Sequence, residues 1–211
     1  MTKEKWLACN DPSSMLGFLW HNGSDRKLRL FACDCCIRVK HVLVGEQSLH
    51  SIVIAERHAD GLATDDELGE ATESLSIVPP AGRPYPNAPA YYATWEHAPD
   101  ACISTAEAAI EALRFAGGDF EGERDAQVAS VHEIFGPLPY HLIVTNPTWL
   151  TSIVQSLATA IYDDKAFDHL PILADALQEA GCDNDDILNH LRGPGPHVRG
   201  CWALDLVLGK A

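Results

Sequence analysis

The chain has 211 residues, of which 46% are apolar, with 15 glycines and 13 prolines. That is too apolar for a disordered chain and too ordinary in Gly and Pro for a collagen-like or low-complexity one. Fifteen Lys and Arg face thirty Asp and Glu, for a formal net charge of −15. Such a field repels phosphates and anionic lipid, so neither nucleic-acid binding through a basic face nor membrane association is expected.

The hydrophobic spacing is helical nearly throughout. Residues 11–20 open with Asp11 as N-cap and Pro12 at the first helical position. Ser24 caps a longer helix that the pattern carries to about Val44 through Leu28, Phe31, Ala32, Cys35, Val39, Val42 and Leu43. Leu49, Ile52, Val53 and Ala55 mark a third, stopped by Gly61. Thr64 and Glu67 form a capping box that opens a helix over 65–75.

The composition then shifts. Residues 78–100 hold six prolines and three tyrosines. Proline fixes φ and lacks an amide donor, so this stretch reads as an internal loop with extended character. Tyr85, Tyr91, Tyr92 and Trp95 are its candidate contacts for a partner. It would form a seam between helical halves 1–77 and 101–211 of a single domain spanning 1–211.

Helices resume over 101–116 and 123–135. Asn146-Pro147 reads as the start of another, with Trp149, Leu150, Ile153, Val154, Leu157 and Ile161 along one side. Residues 167–180 follow, then a short helix capped by Asp183. The 193–196 stretch, Gly-Pro-Gly-Pro, is a rigid break, and a last helix is expected from about His197 to Leu208. Strand signals are nearly absent. The fold expected is all-α: a compact orthogonal array of about eight or nine helices with a Pro/Tyr-rich internal loop.

Several stretches carry a resemblance: KEKWLACNDPSSML, SDRKLRLFACDCCIRV, AERHADGLAT, AIYDDKAFDHLPILADALQEAGC and HLRGPGPHVRGCWALDLVLGK. Together they resemble an uncharacterised family of helical proteins and modules numerous in planctomycete genomes. The likeness covers most of the chain, is most specific at HLRGPGPHVRGCW and is weakest over 76–120. It implies a bacterial, cytoplasmic, self-standing helical protein and brings no catalytic residues with it.

The seven cysteines are an odd number at low density, and the first residues carry no secretory h-region. A reducing cytoplasm and free thiols are expected. Cys33 and Cys36, spaced i, i+3, can share a helix face. If the last helix begins early enough, His197 and Cys201 share one at i, i+4. These four would make a Cys₃His zinc site, with Cys182 and His190 as additional donors. The competing reading is that the cysteines fill the core as small apolar side chains, with no cofactor.

Cys201, His197 and Asp205 also suggest a thiol nucleophile. Three side chains strung along one helix converge poorly on a substrate, however, and no oxyanion motif accompanies them. The acidic runs at 65–67 and 183–186 suit first helical turns, where they complement the macrodipole. Arg192 and Arg199 flank the glycine-rich break as a weak anion site, with Arg199 otherwise expected to pair with Asp205 or Asp175. The function these observations favour is a non-enzymatic protein-interaction or regulatory companion whose partner presents a basic surface. A zinc-stabilised helical domain is the first alternative. An enzyme with a pocket lined by His41, His190 and His197 is the second.

Overall fold

A computed structural model describes residues 1–75, 86–136 and 145–210. Every regular element among them is helical, and none is long and apolar enough to cross a membrane. The chain divides into two compact units, Met1–Val131 and His132–Ala211.

The first unit begins with α1 (Lys3–Leu7), capped by the Thr2 side chain, which accepts the Lys5 amide at 3.3 Å. In α2 (Pro12–Leu19), Asp11 accepts the Ser14 N–H at 3.0 Å, and Pro12 stands where a missing amide costs nothing. Ser24 caps α3 (Asp25–Arg38). Then come α4 (Glu46–Ala59) and α5 (Asp65–Ser74). The capping box at α5 is formed: Thr64 Oγ1 accepts the Glu67 amide at 3.2 Å, and Glu67 accepts the Thr64 amide at 2.8 Å. After them come α6 (Ala88–Ala93), α7 (Ala98–Ala116) and α8 (Phe120–Phe135).

Helix α3 is the hub, packing against α4, α6 and α7 and burying most of its length. Its buried Arg29 donates to three backbone carbonyls, Ala93 at 3.0 Å, Trp95 at 2.7 Å and Glu96 at 2.8 Å. One guanidinium thereby satisfies carbonyls at and beyond the end of α6 that have no intrahelical partner. At the other end of α3, Arg38 holds both oxygens of Glu123 at 2.9 Å and also pairs with Asp34. Ser130 Oγ donates to Asp34 at 2.6 Å. Buried charge is thus paired with carboxylates at Arg38 and hydrogen-bonded to carbonyls at Arg29, which offsets the cost of a low-dielectric interior.

The second unit contains the end of α8, a 3-10 turn (Pro147–Trp149), α9 (Ser152–Asp164), a second 3-10 turn (Phe167–His169), α10 (Leu170–Glu179), α11 (Asp185–Leu191) and α12 (Trp202–Leu208). Val154, Ala158 and Ile161 of α9, Leu173 and Leu177 of α10, Ile187 and Leu191 of α11 and Leu204 and Val207 of α12 form its core. Each large aliphatic side chain buried this way contributes roughly 1.5–3 kcal/mol. Gly136, just past α8, has φ of 53°, and a Cβ there would stand 2.5 Å from the Trp202 ring. Glycine alone permits that approach, which seats the start of α12 against the end of α8.

Several sequence expectations are corrected. Twelve α-helices lie among the described residues, against eight or nine. Helix α6 falls inside the expected Pro/Tyr loop, because Pro89 sits in a first turn that needs no amide donor there. Residues 76–85, with Tyr85, lie outside the described residues. Asn146-Pro147 starts only a 3-10 turn; Thr151 is the cap from which α9 begins. Asn184, not Asp183, caps α11. The last helix starts at Trp202, not His197. Asp175 pairs with Arg192 at 2.6 Å, while the Arg199 guanidinium lies 4.4 Å over the Tyr162 ring.

Candidate metal centre

Four side chains of the second unit converge. Glu133 comes from the last turn of α8 and His190 from the last turn of α11. His197 comes from the non-helical stretch after Arg192, and Cys201 from the N-cap position of α12. One donor atom from each lies within 4.8 Å of all the others. His197 Nδ1 is 3.0 Å from Glu133 Oε1, His190 Nε2 is 3.3 Å from Glu133 Oε2, and the same His190 Nε2 is 3.2 Å from Cys201 Sγ. The edges of a zinc tetrahedron measure about 3.3 Å between nitrogen and oxygen donors and about 3.5 Å to a thiolate, given the usual bond lengths.

Packing fixes the donors. The Trp202 ring packs tilted by 51° against the His190 ring at 4.9 Å, and the two imidazoles cross at 5.2 Å and 70°. Cys201 is fully buried and Glu133 nearly so, while the side chains of His197 and His190 are 9% and 19% exposed. His197 Nε2–H donates to the Gly193 carbonyl at 3.3 Å. That bond leaves Nδ1 facing the Glu133 carboxylate. A lone pair there would face negative charge, so a cation, proton or metal ion, belongs between them. A backbone carbonyl on the remote ring nitrogen is the usual outer partner of a metal-bound histidine.

Electrostatics follow the geometry. Burial opposes ionisation of Glu133, but the hydrogen bonds from His190 and His197 outweigh it and hold its carboxyl below the ordinary range. The hydrogen bond to Glu133 raises His197 above the ordinary histidine value. Burial, reinforced by the Glu133 charge, pushes the Cys201 thiol well up. Without a metal, Cys201 is therefore a thiol, not a nucleophilic thiolate. A coordinated cation reverses that preference by supplying positive charge at the sulfur.

His190 adds a second argument against a thiol–imidazole relay. A relay needs the thiol on one ring nitrogen and the orienting carboxylate on the other. Here both approach Nε2, which carries either one proton or one lone pair and cannot serve both. The same four side chains each offer one donor atom within 4.8 Å of the others, a set that could hold a metal ion.

Of the residues expected to bind zinc, His197 and Cys201 are in this group, with His190. Cys33 and Cys36 are not. They are buried in α3 with Ile52, Ala55, Leu68 and Ala93 in an apolar cluster of the first unit, and Cys33 Sγ donates to the Ile52 carbonyl at 3.9 Å. Cys182 is buried in the core of the second unit and is likewise not a member. His41 is exposed in the turn after α3. Cys201 precedes α12 and Asp205 lies within it, so the helical line proposed through His197, Cys201 and Asp205 does not form. Glu133 went unrecognised: a single glutamate inside a helix carries no ligand signature. Tyr91, Tyr92 and Trp95 pack on one another at 4.7–5.9 Å at the end of α6.

The chain matches no protein-family model, no curated protein and no solved structure.

Proposed function

We propose that the second unit is a zinc-binding module in which Glu133, His190, His197 and Cys201 hold one ion as a structural centre. The observation that carries this reading is the approach of Cys201 Sγ and the Glu133 carboxylate to a single nitrogen of His190. The donor set of one sulfur, two nitrogens and one oxygen suits Zn²⁺ and not Ca²⁺ or Mg²⁺. Four protein donors complete a tetrahedron and leave no open position for water or substrate, which is the pattern of a structural site. The ion would tie the end of α8, the end of α11 and the start of α12 together. On this reading the chain is a non-enzymatic binding protein, and the metal maintains a surface without turning anything over.

The test is metal analysis of untagged protein, followed by titration of the chelated protein with Zn²⁺ and Co²⁺. One equivalent is expected. The cobalt form should show the visible bands of tetrahedral coordination and a thiolate charge-transfer band that Cys201→Ser abolishes. Failure to retain either ion at equimolar concentration defeats the proposal.

A further inference from the structure

The first unit carries a feature unrelated to the zinc reading. Helices α6 and α7 pack closely through buried alanines, among them Ala90, Ala93, Ala101 and Ala109. Their outer edge leaves a groove of about 360 Å³, walled by Tyr92 and Trp95 on one side and by Ser104, Glu107 and Glu111 of α7 on the other. We propose that this groove receives an arginine side chain from a basic segment of a partner protein.

Three observations support that occupant. The Tyr92 and Trp95 rings meet at 4.7 Å and 81°, so they make a half-buried corner of two nearly perpendicular aromatic walls. A guanidinium stacks on such faces and is held by the ring quadrupole. Glu107 is exposed at the rim and makes no hydrogen bond or ion pair among the described residues, whereas Glu111, one turn on, is shared with Arg114. Glu107 is thus the carboxylate left to pair with an incoming cation. The net charge of −15 draws a basic chain toward the surface and repels nucleic acid.

The wall is built in advance. Arg29 fixes the carbonyls of Ala93, Trp95 and Glu96 from beneath, so little backbone freedom is lost when the groove fills. Arginine suits the site better than lysine, because a planar fork can lie on an aromatic face and reach a carboxylate at once, and a compact ammonium cannot.

The experiment is fluorescence anisotropy on the full chain at low salt. The probes are a labelled glycine–serine peptide with three arginines, its lysine counterpart and its glutamate counterpart. The arginine peptide should bind at least about threefold tighter than the lysine one, and the glutamate peptide should not bind. Glu107→Lys and Trp95→Ala should each weaken arginine binding about tenfold. Asp163→Lys, the same charge change at an exposed position of α9, should change it less than about twofold. Glu107→Lys lies on the surface and keeps the test valid should Trp95→Ala unfold. Equal effects of Glu107→Lys and Asp163→Lys would reduce the attraction to the general field and overturn the proposal. So would equal binding of both basic peptides, or no binding by either.

Discussion

Nδ1 of His197 and Oε1 of Glu133 lie 3.0 Å apart across 64 residues of chain. Glu133→Gln keeps the size of that side chain and removes its charge. Zinc affinity, measured by competition with a chromophoric chelator, should fall about 100-fold, at or beyond the upper end of what changes to supporting residues cost. An unchanged affinity would remove Glu133 from the ligand set.

Chelation should destabilise the second unit selectively. A ligand present at about 1,000 times its dissociation constant stabilises by about 4 kcal/mol, and a shift of roughly 10 °C or more in melting temperature corresponds to that. Hydrogen exchange read with and without zinc should show the lost protection in α11 and α12, near His190 and Cys201. Uniform loss along the chain, or none, would contradict a local clamp.

The thiols should sort by burial. Cys9 is partly exposed, whereas the other six are buried. Burial raises Cys35, and it holds the thiols of Cys36 and Cys102 well above their ordinary value. A thiol reagent should therefore modify one group quickly in the native protein and the rest only on unfolding, with Cys9→Ser abolishing the fast phase. Several fast groups would show that the core opens more readily than its packing suggests.

Acid should loosen α2 through its cap. Hydrogen bonds from Ser14 hold the Asp11 carboxyl below the usual range. A carboxyl depressed in the folded state stabilises above its unfolded value, near 3.9, and that contribution is lost as pH falls through the lower folded value. Asp11→Ala should cost about 1 kcal/mol at pH 7. The gap from wild type should narrow below about pH 4, as read from urea midpoints. A gap of equal size at about pH 3 and pH 7 would show that the ionised cap is not its source.

Arg29→Lys keeps the charge and loses the fork. An ammonium does not reproduce the planar fork that reaches the buried Ala93 carbonyl and the partly buried Trp95 and Glu96 carbonyls, so stability should fall by about 1–3 kcal/mol in urea titration. A near-neutral result would mean that water replaces the guanidinium without loss.

Much of the fold was legible because its signals are local. The Asp11 and Ser24 caps and the Thr64–Glu67 box each lie within four consecutive residues, and each forms. Composition misled where proline was concentrated, since Pro89 is harmless in a first turn and α6 forms around it. The site was half legible. His190, His197 and Cys201 declare themselves by residue type, but the assumed helix through 197–201 does not exist. Gly200 has φ of 93°, which no helix accommodates, so the backbone leaves the helical path within that stretch. Convergence comes instead from the loop folding back between α11 and α12. Glu133 was beyond reach, because only tertiary packing, with Trp202 seated on Gly136, brings the end of α8 to the other three donors.

The division between the units falls between Val131 and His132, inside the unbroken helix α8. A truncated version starting at that border would retain Glu133 on a single orphaned turn, and so short a coil does not nucleate by itself. The C-terminal piece is therefore not an exchangeable cassette with a clean edge. Whoever excises it at the bench, or any recombination event that transplants it, must carry the upstream length of α8 along to keep all four donors in register.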